Sequence, residues 1–475
     1  MKNKIYLSFF FSFIFLSLIF SQQREIELTI YNQNFALVKE KRELELKKGT
    51  HILKILDIPA QIEPTSLHFK SITAPKECFI LEQNFEYDLI SQHKLLEKYI
   101  DKEIWIKEYI QEKDTTKEVI RKGILLSIQD GKVIKIDNKI YINPEGTIIL
   151  PELPEGLITK PTLSWVISNN KEGKHLVEIS YITNEINWSS DYVLVLDKQD
   201  RYLDLTGWIT IDNRSGATYK DAKLKLIAGD VHKIEEYKVA RRGPLSLGAE
   251  VYPQMAAEPQ FKEQEFFEYH IYTLQRRTTI KDNEKKQIEF INSSNIQAKK
   301  LFIYDGARFS WYRSVSVADD LYGDKCNKKV WVILEFKNSK ENNLGVALPK
   351  GKIRVYKKDE EEALQFIGED KIDHTPKDET IKIYLGNAFD IVGERKLLDK
   401  KTSSDWQELE IEIKIKNRKK EKIEVIVVEH HYAANWKILK ATHKWTKRDI
   451  DTIEFILPVE KEKEEVLTYS VKYWW

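Results

Sequence analysis

The chain has 475 residues, of which 32% are charged, and its formal net charge at pH 7 is +1. This balance argues against a dedicated nucleic-acid-binding protein, because such proteins normally present a strongly basic face or stripe. The length is sufficient for two or three domains with a sizeable buried core.

The N-terminal segment has the features of a secretory signal peptide. Lys2 and Lys4 lie before an apolar run over residues 5–20, and Ser21 follows that run. The run is shorter than the roughly 20 residues of a membrane-spanning helix, although a membrane anchor is the alternative. We therefore expect residues 1–21 to be removed as a signal peptide. The mature chain is expected in the periplasm or outside the cell, without a membrane span.

Period-two alternation of apolar and polar residues predicts a mainly β fold. The alternating runs are short, are separated by Gly, Asn, Asp and Pro, and are rich in Val, Ile, Tyr and Thr, which favour strands. The clearest runs are residues 25–30, 51–56, 132–136, 203–209, 224–227, 331–336, 381–385, 409–415, 423–428 and 466–473.

The order of these runs predicts three regions after the signal peptide. Residues 22–90 form an N-terminal antiparallel β region. Residues 91–150 begin with a helix that Ser91 can cap and continue as a small SH3-like or Sm-like barrel, with a hairpin extension of a larger sheet as the alternative. Residues 151–475 form a larger antiparallel β-sandwich. A long flexible loop is expected at about 239–262, where Gly and Pro interrupt the periodicity.

The two cysteines, Cys78 and Cys326, lie far apart in the sequence. An oxidising compartment would permit a disulfide between them. Disulfide geometry is specific and a single sequence does not test it, so we favour two buried free thiols and keep the disulfide as the alternative.

Several segments along the mature chain resemble one known family in their residues and in their order. They are Ile30-Tyr31-Asn32-Gln33-Asn34-Phe35-Ala36-Leu37-Val38, Asp57-Ile58-Pro59-Ala60, Trp188-Ser189-Ser190-Asp191-Tyr192, Leu348-Pro349-Lys350-Gly351-Lys352 and Gly386-Asn387-Ala388-Phe389-Asp390. In these segments the chain resembles the bacterial family called domain of unknown function 4139. The resemblance implies an exported, β-rich protein, and it assigns no activity, cofactor or catalytic residue.

One acidic segment is the best candidate for chemistry. Its catalytic candidates are Glu369, Asp370, Asp373 and His374, which we place in a loop between strands over residues 369–379. Carboxylates beside an imidazole can bind a cation or divide the roles of acid and base. Asp, Thr and Pro are also the residues of tight turns, and we favour a turn locked by hydrogen bonds. The spacing fits neither an EF-hand nor a zincin helix, so no metal ligands are assigned.

Two further segments contain binding candidates. Arg214 could hold an anion, although a hairpin turn in which Gly216 supplies a positive φ is the simpler interpretation. Trp311, Tyr312 and Arg313 lie in a less regular stretch, where exposed aromatic rings would suit sugar stacking. Most of the 11 tryptophans are nevertheless expected in sheet-on-sheet cores.

His430 and His431 follow a predicted strand. Adjacent residues of a strand point to opposite faces, so the two imidazoles cannot easily ligate one ion. We interpret them as surface imidazoles packed beside Tyr432 and Trp436.

The function favoured by these patterns is a non-enzymatic binding or assembly protein of the cell envelope or periplasm. Its expected partner is an envelope component, protein or glycan, with no nucleic acid and no cofactor. The sequence contains no nucleophile elbow, phosphate loop or dinucleotide fingerprint. The alternative is a hydrolase or a metal-dependent enzyme that uses residues 369–379.

Overall fold

The computed structural model describes residues 24–112, 115–229, 231–233, 260–308, 311 and 326–475. The protein is mainly β, as the alternation predicts, and each alternating run named above lies in a strand to within one residue. The predicted signal peptide lies outside the described residues. Among the described residues, no helix is both long enough and apolar enough to cross a bilayer.

The described residues up to 149 form ten strands and one α-helix. The first strands are β1 (Glu25–Tyr31), β2 (Phe35–Leu46), β3 (Gly49–Ile55), β4 (His68–Ser71) and β5 (Cys78–Glu86). The helix α1 (Gln92–Lys98) is followed by β6 (Glu103–Glu112), β7 (Thr115–Ser127), β8 (Val133–Ile136), β9 (Lys139–Ile142) and β10 (Thr147–Ile149).

The remaining described residues add nineteen strands. They begin with β11 (Thr162–Asn169), β12 (Gly173–Asn184), β13 (Ile186–Leu196), β14 (Tyr202–Asn213), β15 (Tyr219–Ala228), β16 (Phe261–Phe266), β17 (Tyr269–Leu274), β18 (Thr278–Ile280), β19 (Glu284–Asp305) and β20 (Lys329–Lys337). They end with β21 (Gly351–Lys358), β22 (Leu364–Ile372), β23 (Thr380–Thr402), β24 (Trp406–Asn417), β25 (Ile423–His430), β26 (Trp436–Ala441), β27 (Trp445–Lys447), β28 (Thr452–Val459) and β29 (Glu464–Trp474).

The helix and the five strands after it form a unit with its own core. The sheet order is β10-β6-β7-β8-β9, and the described ladder is open between β9 and β10. As predicted, Ser91 caps the helix, because its hydroxyl accepts a hydrogen bond from the Lys94 N–H at 3.2 Å. The core consists of Leu96, Tyr99, Ile104, Ile106, Leu125, Ile134 and Ile136.

The first sandwich is built from strands on both sides of this unit. Its main sheet has the order β16-β17-β15-β1-β2-β12-β4, with β18 also paired to β15. β1 runs parallel to β15, so this sheet is mixed. It packs on the three-stranded sheet β3-β11-β5 and on the first part of a thirteen-stranded sheet. Inward residues alternate with outward ones, so that Val177, Ile179 and Tyr181 of β12 lie in the core.

The second sandwich is the later part of the thirteen-stranded sheet folded over itself. One layer contains β20-β23-β24-β29-β26, and the other contains β19, β25, β28 and β27. β19 and β23, of 22 and 23 residues, contribute to both cores. In β19, Ile288 packs in the first core and Tyr304 packs in the second core.

The predicted flexible loop falls mostly outside the described residues. Residues 239–259 are not described, whereas residues 261 and 262 already belong to β16. The prediction is wrong for these last two residues, because the run Phe261–Phe266 pairs with β17. Cys78 and Cys326 are both free thiols, of which Cys78 is buried and Cys326 is half-buried.

Candidate binding groove

The acidic segment is partly strand rather than loop. Glu369 and Asp370 lie in β22, so the predicted loop over residues 369–379 is wrong at its start. Asp370 is buried, and its two carboxylate oxygens accept hydrogen bonds from the N–H groups of Lys371 at 2.7 Å and Tyr384 at 2.8 Å. Glu369 is half-exposed and lies 3.5 Å from the Arg354 guanidinium. The carboxylate of Asp370 thus fastens β22 to β23.

The rest of the segment connects β22 to β23. His374 Nδ1 accepts a hydrogen bond from the Lys350 N–H at 3.2 Å, and Nε2 lies 3.3 Å from the Asn32 amide. Thr375 and Leu348 exchange two backbone hydrogen bonds of 2.9 Å, and Asp373 is exposed. The candidate side chains therefore contact different elements. Among the described residues, no three or more His, Cys, Asp or Glu side chains are grouped to hold a metal ion.

The turn that contains Arg214 connects β14 of the thirteen-stranded sheet to β15 of the main sheet. Gly216 has the predicted positive φ, at 83°, but β14 and β15 pair with other strands, so the expected hairpin is wrong. A turn sequence fixes the local backbone and does not reveal which strands will pair. Asn213 is buried and its amide donates to the carbonyls of Ala217 and Lys281, both at 2.9 Å. Arg214 itself is exposed and lies 3.3 Å from Asp212.

Trp311 packs in a small aromatic cluster. Its ring lies edge-on to Trp331 at 5.4 Å and stacks on Tyr384 at 6.1 Å, so one of its faces is covered. Tyr312 and Arg313, the other binding candidates of this stretch, lie outside the described residues.

His430 is the last residue of β25 and His431 follows it. Their side chains contact different neighbours, as expected for adjacent residues of a strand, but neither is a surface group. β19 and β25 run in parallel, so their C-terminal ends meet and His430 Nε2 lies 2.8 Å from Asp305 Oδ2. His431 is buried, stacks on Trp436 at 4.1 Å and contacts the Tyr473 hydroxyl at 2.9 Å. Burial lowers the pKa of His431 to about 3. The surface interpretation is therefore wrong, because His430 contacts Asp305 of β19 and Trp436 of β26 covers the ring of His431.

Each sandwich also contains a buried ion pair that was not predicted from the sequence. In the second sandwich, the Arg395 guanidinium donates to both Glu429 oxygens at 3.0, 3.1 and 3.0 Å, and the Tyr469 hydroxyl donates to the same carboxylate. The available signal was the phase of β25, in which Val425, Val427 and Glu429 all point inward. A charge at an inward position indicates a paired group in the core.

The pair in the first sandwich is less enclosed. Glu40 and Arg42 occupy inward positions of β2, in phase with Val38, and form an ion pair. Arg24 reaches the same carboxylate from a partly exposed position, with its Nε at 2.6 Å. Arg42 Nε has no hydrogen-bond partner among the described residues.

A groove with a mixed polar and apolar lining opens between the edges of the main sheet and the three-stranded sheet of the first sandwich. We call it the edge groove. It has a volume of about 410 Å³ and is lined by Leu67, His68, Phe69, Lys70, Ser71, Pro75, Cys78, Phe79, Ile80 and Gln83. Among the described residues, β4 pairs only with β12 and β5 pairs only with β11. Two strand edges with free backbone groups therefore border the groove.

The groove has a packed floor and one lysine at its rim. The Phe69 ring packs edge-on against the buried Trp165 at 5.2 Å, and the Trp165 indole N–H donates to Gln83 at 3.2 Å. Burial raises the pKa of the Cys78 thiol, which keeps it protonated beneath the groove. Lys70 is exposed and has no ion-pair partner in the described part of the chain.

A comparison with protein-family models gives no match for this chain, and a comparison with curated proteins gives none either. The resemblance to the domain of unknown function 4139 family stays a prediction from the segments named above.

Proposed function

We propose that the protein is an exported, non-enzymatic binding or assembly protein of the cell envelope or periplasm. The edge groove is its docking site. The expected partner is an envelope component, either a protein or a glycan.

The observation that carries the proposal is the pair of free strand edges beside one groove. Unpaired strand edges attract other extended chains, and proteins usually shorten, charge or cover them. Here β5 is nine residues long, and its exposed residues include Phe79 and Leu81. A partner that lies along this edge gains backbone hydrogen bonds, while its side chains enter the groove.

The alternative of an enzyme at residues 369–379 has less support. Asp370 is engaged by two backbone N–H groups, and His374 accepts a hydrogen bond from a third. A catalytic acid and base must converge on one substrate position within reach of solvent. In this segment the buried carboxylate and the imidazole are held by separate elements.

Binding of the purified mature chain to isolated cell-envelope fragments, followed by sedimentation, tests the proposal. We expect Phe79→Asp to reduce the bound fraction by roughly tenfold, because it places a charge beside the apolar side chains of Phe69 and Ile80. Ile140→Asp is the matched control, since Ile140 is 65% exposed on β9 and neither lines the groove nor lies on β4 or β5.

Two results would contradict the proposal. Equal sedimentation of the wild-type chain and Phe79→Asp would exclude the groove as the docking site. A hydrolytic activity that His374→Ala removes, without loss of folded structure, would replace the proposal with the enzymatic alternative.

A further inference from the structure

The hairpin of β16 and β17 presents two aromatic side chains to solvent. Phe266 ends β16, and Phe267 follows it in the two-residue turn before Tyr269. The side chains of Phe266 and Phe267 are 56% and 83% exposed. We call these two residues the aromatic tip.

Phe267 is also strained. Its φ is 54°, in the left-handed region that bulky side chains rarely occupy. Asn or Gly would adopt this conformation at lower cost in free energy. The ring of Phe267 contacts Tyr269 of the same hairpin at 6.0 Å, but most of its surface remains exposed, so it packs in neither core. Strained residues of this kind cluster at functional sites, which points to a role in contact with another molecule.

The charge around the tip is complementary to the charge around the edge groove. Glu265 and Glu268 flank the tip, are exposed, and form no ion pair with the described residues. The rim of the groove presents Lys70 and His68. Two carboxylates beside the tip would be attracted to Lys70, whereas they would be repelled by an anionic membrane surface.

The size of the groove also fits the tip. A cavity of about 150 Å³ lined by apolar side chains is enough to bind one benzene ring. The edge groove, at about 410 Å³, therefore has room for two phenyl rings. Its apolar lining includes Phe69, Phe79 and Ile80, which suit aromatic rings.

The tip and the groove lie at opposite edges of one sheet. In the order β16-β17-β15-β1-β2-β12-β4, six strand spacings of about 4.8 Å separate β16 from β4, a distance of roughly 29 Å. The intervening strands are continuously paired, so the tip of a chain cannot reach its own groove. A groove on another molecule remains within reach.

We propose that the aromatic tip of one copy docks in the edge groove of a second copy. This inference rests on the proposed assembly role and names the partner as the chain itself. The contact is heterologous, because one copy contributes its aromatic tip and the other copy contributes its edge groove. Repetition of such a contact closes into a ring or extends into a filament.

Sedimentation velocity of the full mature chain over a concentration series tests the inference. We expect the sedimentation coefficient of the wild-type chain to rise with concentration. Phe267→Asn, which suits a positive φ and keeps the fold, should weaken the association by roughly tenfold or more. The matched control is Phe389→Asn, because Phe389 is 96% exposed on β23, away from both surfaces. It should associate like the wild-type chain.

A charge exchange gives a second, independent test in the same assay. Lys70→Glu should weaken association, and its combination with Glu265→Lys or Glu268→Lys should restore it in at least one case. Failure of both combinations to restore association would overturn the inference, as would a loss of association in Phe389→Asn equal to that in Phe267→Asn.

A wild-type chain that stays monomeric at every concentration would also overturn the inference. If that monomer still bound envelope fragments through Phe79, the proposed function would stand with a different partner in the groove. If it bound no fragments, both proposals would fail.

Discussion

The two sandwiches share one pattern of alternation but treat their edges and their buried charges differently. The second sandwich encloses Glu429 with Arg395 and Tyr469, so every oxygen of this carboxylate is engaged. The first sandwich shares Glu40 between buried Arg42 and partly exposed Arg24, and it also carries the edge groove and the aromatic tip. The difference suggests that the second sandwich mainly contributes stability, whereas the first provides the surfaces for contact.

The largest expected effect is on the ion pair of the second sandwich. Glu429→Gln removes the carboxylate that faces the buried Arg395 guanidinium, and we expect a loss of about 4 kcal/mol in the free energy of unfolding. Urea denaturation at pH 7 measures it. Arg395→Met/Glu429→Leu should cost less than the single substitution, because no buried charge is left. The control Glu394→Gln removes a surface pair with Lys416 and should cost less than about 1 kcal/mol.

The corresponding substitution in the first sandwich should have a smaller effect. In Glu40→Gln, Arg24 can turn towards solvent and Arg42 keeps a polar neighbour, so we expect a loss of about 2 kcal/mol. The same urea denaturation compares the two substitutions directly. A loss for Glu40→Gln equal to or above that for Glu429→Gln would break the distinction between the two sandwiches.

His431 should make the stability of the second sandwich depend on pH. Burial lowers the pKa of His431 to about 3, against about 6.5 in an unfolded chain. The unfolded state therefore binds a proton that the folded state refuses. Its contribution to stability is complete above pH 6.5 and is lost as the pH falls towards 3, by at most about 1.4 kcal/mol per pH unit.

The check is the difference in unfolding free energy between the wild-type chain and His431→Gln at pH 7.5, 5.5 and 4.5. We expect the wild-type chain to lose its advantage over the variant as the pH falls. His443→Gln, at a half-buried position on the surface, serves as the control. A difference that stays constant over this range would show that His431 is protonated in the folded protein.

The smallest expected effect is a gain in stability at the aromatic tip. Phe267→Gly should raise the free energy of unfolding by about 1 kcal/mol, because it relieves the positive φ without removing buried contacts. Phe266→Gly, at a regular strand position, should give no gain. If Phe267→Gly destabilised the chain, the tip would belong to the fold of the first sandwich rather than to a contact surface.

The sequence predicted local structure well because local structure depends on neighbouring residues. The alternation of Val425 and Val427 indicated β25, and Ser91 indicated the start of the helix. Pairing across the chain leaves no such pattern. Nothing in the sequence joins β2 to β12 across the intervening unit, or aligns β19 in parallel with β25.

The candidate site was harder to predict for the same reason. The acidic segment stands out in composition, yet the carboxylate of Asp370 accepts hydrogen bonds from two backbone N–H groups. The edge groove is made by β4 and β5, which belong to different sheets. Its residues become neighbours only when both sheets have formed. The inward charges Glu40 and Glu429 were visible in the alternation, although their partners were not.

Hydrogen–deuterium exchange of the mature chain, with and without isolated envelope fragments, tests the central claim most directly. We expect slower exchange over residues 67–83, which form the edge groove, and unchanged exchange over residues 369–379. Protection confined to residues 369–379, with none at the groove, would contradict the account and place the interaction at the acidic segment.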